Sequence, residues 1–351
     1  MTSKRNAAAR IRAGRELPAS PASGEHPPAG RRRRMFVAAV LSVAALAVLG
    51  ALAAVGAFNG NAASLTNCAA LPSSCNYPGA TNTGVPAGTV LKQVPGQVSS
   101  GPGWSYNATT KAVVVTGSGT VLSGLYIPGN LTIAANNVTV NDVQVVTGGA
   151  FGISLTHTTG VTIENSTVSG QNSTTGRVNE AIDDVYGDST GMVIKDNNIS
   201  FFRIAVQVST GLVDGNYIHD PGYIAGDHTN GVVTNGGTKP LVIEDNTIFN
   251  SQGQTDAISI DPATAGLTVA NKTIEGNFLA GGGYAIYGGD GQANTTTSNI
   301  VIKNNRFGQL YYAKGGQFGP VVYFDPAGTG NTWSGNSWDT TGQAIPAPTA
   351  P

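Results

Sequence analysis

The 351 residues predict an all-β solenoid, a pile of short coils, headed by one apolar N-terminal segment. Three observations carry the prediction. First, six asparagines recur in one frame, each three residues after an apolar residue and two before another. The segments are Ile194-Lys-Asp-Asn-Asn-Ile199, Val213-Asp-Gly-Asn-Tyr-Ile218, Ile243-Glu-Asp-Asn-Thr-Ile248, Ile274-Glu-Gly-Asn-Phe-Leu279, Ile302-Lys-Asn-Asn-Arg-Phe307 and Trp333-Ser-Gly-Asn-Ser-Trp338. With Val140-Asn-Asp-Val-Gln-Val145 and Ile163-Glu-Asn-Ser-Thr-Val168, which keep the frame without the asparagine, there are eight copies 19 to 31 residues apart. Second, another strand family interleaves with these: Gly152–Leu155, Ala181–Asp184, Ala205–Val208, Gly231–Thr234, Ala257–Ile260 and Ala285–Gly288. Third, no segment from 101 onward holds a helical period over 10 or more residues, and 48 glycines with only 11% charged residues suit a turn-rich chain.

A strand of four or five residues cannot bury its apolar face alone. It can do so against the equivalent strand of the next coil, at a spacing of about 4.8 Å. An asparagine at the same corner of every coil then points its amide at the amides above and below, pairing donors and acceptors that are costly to bury alone. Asparagine also tolerates the left-handed backbone of a sharp corner.

In chain order, residues 1–35 form a basic head, expected to lie in the cytoplasm. They hold nine Lys or Arg and two Glu, a net charge of about +7, while the rest holds ten Lys or Arg against eighteen Asp or Glu, about −8. Arg31 to Arg34 abut an uncharged apolar run, 36–58, long enough to span a bilayer, and a basic cluster before such a run keeps the N-terminus inside the cell. The run reads as an uncleaved transmembrane signal anchor or as a cleaved signal peptide with a long basic head. Either way the remainder is expected outside the cytoplasm, membrane-held or secreted, and its acidity argues against nucleic acid as a partner. Residues 59–105, rich in Ala, Ser, Pro, Gly and Asn, read as linker and N-terminal cap. Cys68 and Cys75, the only cysteines, are expected to pair in an oxidising compartment. Residues 106–340 are the coils, with Trp104–Val115 a candidate cap at one end and Trp333–Trp338 at the other. The proline-rich tail, 341–351, cannot continue a strand and is expected to be loose.

The repeat resembles the right-handed parallel β-helix of the pectin lyase-like superfamily over about residues 112 to 340. The stretches Gly226-Asp-His-Thr-Asn-Gly231, Gln254-Thr-Asp-Ala-Ile-Ser259 and Gly281-Gly-Gly-Tyr-Ala-Ile-Tyr-Gly-Gly289 are similar to a bacterial family of secreted or membrane-anchored β-helix repeat proteins. The resemblance implies a class of function: lyases, hydrolases, epimerases and surface-binding proteins of polysaccharides share the fold.

Candidate chemistry gathers on the second strand family. With Ile182, Val206, Val232, Ile258 and Ile286 pointing in, the small residues before them, Ala181, Ala205, Gly231, Ala257 and Ala285, are expected to point out as a shallow groove for an extended sugar chain. The alternative is that they relieve crowding. Asp183, Gln207, Ser259 and Tyr287 would flank that groove. Glu180, Asn230 and Asp256 stand immediately before the small residues, with Arg203 and His228 close by and His219-Asp220 upstream.

A lyase would use His228 or Arg203 near the abstracted proton and calcium, a possible cofactor, on Glu180, Asp183 and Asp184. A hydrolase would use Asp183 or Asp184 with Asp256 as its two carboxylates. A binding module needs only polar groups such as Gln207 and Asn230 and platforms such as Tyr284, Tyr287, Tyr311, Tyr312 and Tyr323. The Asp183-Asp184 pair resembles the paired aspartates of polygalacturonases, but their Gly-His-Gly and Arg-Ile-Lys motifs are absent, as is the arginine signature of pectate lyases. The sequence therefore predicts an extracytoplasmic protein acting on polysaccharide, as lyase or hydrolase, or else a non-catalytic glycan-binding or envelope surface protein.

Overall fold

Every copy of the repeat becomes one turn of a parallel β-coil in the computed structural model, which describes residues 68–349. The basic head and the expected membrane or signal segment, 36–58, lie outside the described residues. Among the described residues the strands form two sheets, one of 17 strands and one of 11, and no helix is long and apolar enough to cross a membrane. A typical coil contributes Val178–Asp184 to the smaller sheet, then Val193–Lys195 and Asn198–Ser200 to the larger, on either side of the asparagine corner.

Register keeps like residues over like. Ile163, Ile194, Val213, Ile243, Ile274, Ile302 and Trp333 form one column. Ile153, Ile182, Val206, Val232, Ile258, Ile286 and Val321 form another on the smaller sheet. Both run into one continuous apolar core, so each coil is stable only because its neighbours cover it.

The asparagines form an unbroken ladder. The Nδ2 groups of Asn197, Asn216, Asn246, Asn277 and Asn305 each donate to Oδ1 of the next asparagine at 2.9–3.0 Å, ending on Asn336. The same oxygens also accept the backbone N–H of the preceding coil, and each Nδ2 reaches back to a carbonyl on the preceding coil, as Asn246 does to Val213 at 2.9 Å. Ser166 holds the equivalent place one coil earlier: its hydroxyl accepts the Val143 N–H at 3.1 Å and donates to the Glu164 carbonyl at 2.7 Å.

The residue before each asparagine is left-handed throughout: Asp196, Gly215, Asp245, Gly276, Asn304 and Gly335 have φ between 52° and 68°. Asp or Asn alternates with Gly for a steric reason. A Cβ on Gly276 would lie 2.2 Å from Oδ1 of Asp245, so a side chain on one coil occupies the space above the next.

Both ends are covered. The antiparallel hairpin Trp104–Asn107 with Ala112–Val115 closes the first end. At the other, Trp333 and Trp338 pack on Phe307, with ring centroids 6.1 and 6.5 Å apart. Residues 341–345 of the tail correct the expectation of looseness. Ala344 bridges Ser337, the Ile345 side chain is buried, and its carbonyl accepts the Trp333 indole N–H at 2.8 Å, which hides the exposed strand edge.

Residues 68–85 are not a linker either. Cys68 and Cys75 are joined by a disulfide, and the strap they close lies on the outer face of the larger sheet. Cys68 packs with Phe249, Phe278 and Ala280, Tyr77 meets Phe278 at 5.0 Å, and the Gly84 N–H donates to the Asp196 carbonyl at 2.8 Å. Closing so short a loop stabilises by about 2.5 kcal/mol. Cys68→Ser/Cys75→Ser is therefore expected to lower the unfolding free energy by about that amount in urea titrations, with the strap's amides exchanging first.

Candidate functional site on the smaller sheet

The expected groove is absent, for a physical reason. Ala181, Ala205, Ala257 and Ala285 are fully buried, and so are the residues that follow them. The strands kink here and turn two consecutive side chains inward, which breaks the strict alternation of a flat strand. A Cβ on Gly231 would lie 2.3 Å from the Ala257 carbonyl oxygen and 2.5 Å from Cγ2 of Ile248. The small residues form the inner elbow where the two sheets meet, so crowding rather than ligand selects them.

On either side of the kink, one column faces outward. One follows Glu180, Ile204 and Asn230, and reaches Tyr284 and Gly319 further on. The Gly231 N–H donates to the Asp256 carbonyl, so Asp256 stands over Asn230 in that column. The other follows Ser154, Asp183, Gln207, Val233, Ser259, Tyr287 and Val322.

The columns disperse most of the expected catalytic set. Asp183 and Asp256 are three coils apart, about 14 Å, whereas two glycosidase carboxylates lie about 5–10 Å apart. Asp184 falls in the column of Leu155 and accepts the Ser189 N–H, so it holds a turn; burial raises its pKa. Glu180 is paired with Arg203 at 2.7 Å, which occupies the guanidinium expected near the abstracted proton. Among the described residues no three His, Cys, Asp or Glu side chains are grouped to hold a metal ion, so the calcium set Glu180, Asp183 and Asp184 is not assembled.

His228 is exposed, and its neighbour Asp227 is turned away from it into a buried ion pair with Arg177, two contacts of 2.5 Å. His219 sits in a strand of the larger sheet, stacked on Tyr217 at 4.0 Å, and Asp220 is bonded to its Nδ1, which holds the Asp220 carboxyl below its usual range. Tyr311 lies by Gly281, with burial and the Asp220 charge pushing its pKa up to about 12, and the Tyr312 hydroxyl donates to the Ser251 carbonyl. Neither ring joins Tyr284.

What the structure does gather is a row of rings with carboxyls beside it. Phe318 and Tyr284 have centroids 5.7 Å apart, Tyr284 and Tyr287 6.1 Å, Tyr287 and Tyr323 5.7 Å. Asp256 is 2% exposed, and its Oδ1 has no hydrogen-bond partner among the described residues. Burial first, then the charge of Asp261, raises its pKa well above the carboxylate range. Burial likewise lifts Asp261 to about 7, against the pull of the Gly289 and Gly291 amides. Burial and then the Asp256 carboxyl, together with Tyr323, Asp261 and Tyr284, raise the Tyr287 phenol.

Phe318 and Asp261 escape sequence reasoning because both stand in turns of irregular length, outside either repeat frame. The Asp261-Pro262 step marks the turn that holds Asp261; Phe318 carries no comparable mark.

These acids set the pH response of stability. Asp261 keeps its proton in the folded chain up to about pH 7, while the unfolded chain loses it near the ordinary aspartate value of 3.8. The fold therefore binds the extra proton, and stability falls as pH rises across that window. Asp256, Asp214, Asp245 and Glu244 are shifted in the same direction, each chiefly by burial. The melting temperature is expected to decline from about pH 4 to about pH 7, and Asp261→Asn to flatten that decline.

A cleft of about 450 Å³ lies elsewhere, on the larger sheet between the disulfide strap and the corner residues Asp196, Asp214, Gly215, Asp245 and Gly276. None of its lining residues is basic, and it holds none of the four rings of the row. A family model described as a right-handed beta helix region matches residues 123–323. No curated protein and no solved structure matches the chain.

Proposed function

Because the chain belongs to the right-handed β-helix family, we propose that it is a non-catalytic glycan-binding protein of the cell surface, with its coils outside the cytoplasm. The observation that carries the reading is the row Phe318, Tyr284, Tyr287 and Tyr323 on one outer face. Sugars present flat C–H faces that pack on aromatic rings, and a platform of this kind needs no enclosed cavity. A lyase is poorly served, since Arg203 is tied to Glu180 and, among the described residues, no carboxylate is bonded to His228 to orient it. The basic head, the apolar run after it and the disulfide all suit export, with the protein held at the membrane if the run is not cleaved.

Retention of the full-length chain in gels cast with polysaccharide, without release of reducing sugar or new unsaturated products, is the expected outcome. Migration unaffected by every polysaccharide would contradict the reading. Hydrolysis is the second reading, favoured by one observation: Asp256 and Asp261 both hold protons well above the carboxylate range, as a general acid must. Release of reducing sugar that Asp256→Asn abolishes would establish it.

A further inference from the structure

We infer that the ring row takes a short uncharged oligosaccharide lying across the coils, and that it turns polyuronates away; the inference rests on the glycan-binding reading above. Direction comes first. Tyr284 and Tyr287 belong to one strand, Tyr284–Tyr287, while Phe318 precedes and Tyr323 follows the next, Gly319–Val322. The rings therefore run along the strands, around the girth of the stack rather than along its axis. Successive centroids are 5.7–6.1 Å apart with ring planes inclined by 42°, 65° and 89°, so the rings offer a short stepped surface that serves about four sugar residues at most and then ends. A long chain following the axis would leave the rings after one contact. The outermost two are open to solvent, Phe318 at 55% and Tyr323 at 39% exposure, so the platform is accessible.

Charge sets the class. Asp256 keeps its proton and Asp261 is lifted to about 7, so the carboxyls that meet a ligand's charge are those further out, Asp290 and Asp325. The Asp290 N–H donates to the Tyr323 carbonyl at 2.8 Å, and Asp325 lies near enough to Asp290 to raise its pKa, after burial. Neither makes an ion pair among the described residues. A uronate would bring a further negative charge to a border that shows no counter-charge among the described residues, the reverse of complementarity.

The test uses the full-length chain in a detergent without a sugar headgroup. Calorimetric titration compares gluco-, manno-, xylo- and galacto-oligosaccharides, graded from disaccharide to octasaccharide, with oligogalacturonides of the same lengths near neutral pH. At least one neutral series is expected to bind with affinity that rises to about four residues and then levels, and the galacturonides to bind at least about tenfold more weakly. Phe318→Ala and Tyr323→Ala are each expected to weaken binding about tenfold with an unchanged urea midpoint, and Tyr186→Ala, an exposed ring off the row, to leave it unchanged.

Galacturonides that bind as tightly as the neutral series, affinity that keeps climbing with length, or indifference to Phe318→Ala would overturn the inference while leaving glycan binding standing. Silence toward every glycan of either charge would overturn both.

Discussion

Asn246→Ala is expected to lower the unfolding free energy by about 3–5 kcal/mol in urea titrations. Asn246 is fully buried in the middle of the ladder. Its Oδ1 accepts both the backbone N–H and the Nδ2 of Asn216, at 2.9 Å each. Its Nδ2 donates to Val213, Glu244 and Asn277. Alanine leaves those groups buried without partners, and an orphaned buried polar group costs about 1–3 kcal/mol.

Asn246→Ser should cost roughly half as much, because Ser166 already shows that a hydroxyl can accept the neighbouring N–H and donate to the carbonyl two residues back. The double variant Asn246→Ala/Asn277→Ala should cost less than the sum of its singles, since the two share a bond. Single losses near zero, or strict additivity, would mean that the amides do not act as one ladder.

Gly231→Val is the second large effect expected, a loss of about 3 kcal/mol or more, with Gly231→Ala already measurably destabilising. The added carbon meets a backbone carbonyl and a core methyl, neither the far end of a flexible chain. Had the small residues lined an open groove, the same change would stay within about 0.5 kcal/mol. Urea midpoints of the two variants separate a packed elbow from an open groove directly.

The coils were legible because stacking constrains sequence in a simple way. A corner that must bury its amide in a ladder admits few residues, so Asn197, Asn216, Asn246, Asn277, Asn305 and Asn336 announce it, although the left-handed backbone expected of them falls on the residue before each. The capping segment at Trp333–Trp338 was legible because bulky rings stand where other coils carry smaller side chains.

The pleat of the smaller sheet was not legible. Alternation assumes a flat strand, and a kink that turns Ala181 and Ile182 both inward leaves no trace beyond the small residue itself. The misplaced acids follow from that. With the register unknown, Asp183 and Asp256 seemed neighbours on one wall, although three coils separate them. His219 was misassigned because closeness in sequence to His228 says nothing about which sheet a residue joins. Tyr284 and Tyr287 were found, since they lie in the repeat; Phe318 and Asp261 were not, since they lie between repeats.

Hydrogen exchange of the full-length chain, with and without a glycan that binds, tests the placement of the site most directly. Protection is expected over 256–261, 284–291 and 316–324, the backbone beneath and beside the ring row. Protection confined to 76–83 with 196, 214–215 and 245, the cleft under the disulfide strap, would contradict it.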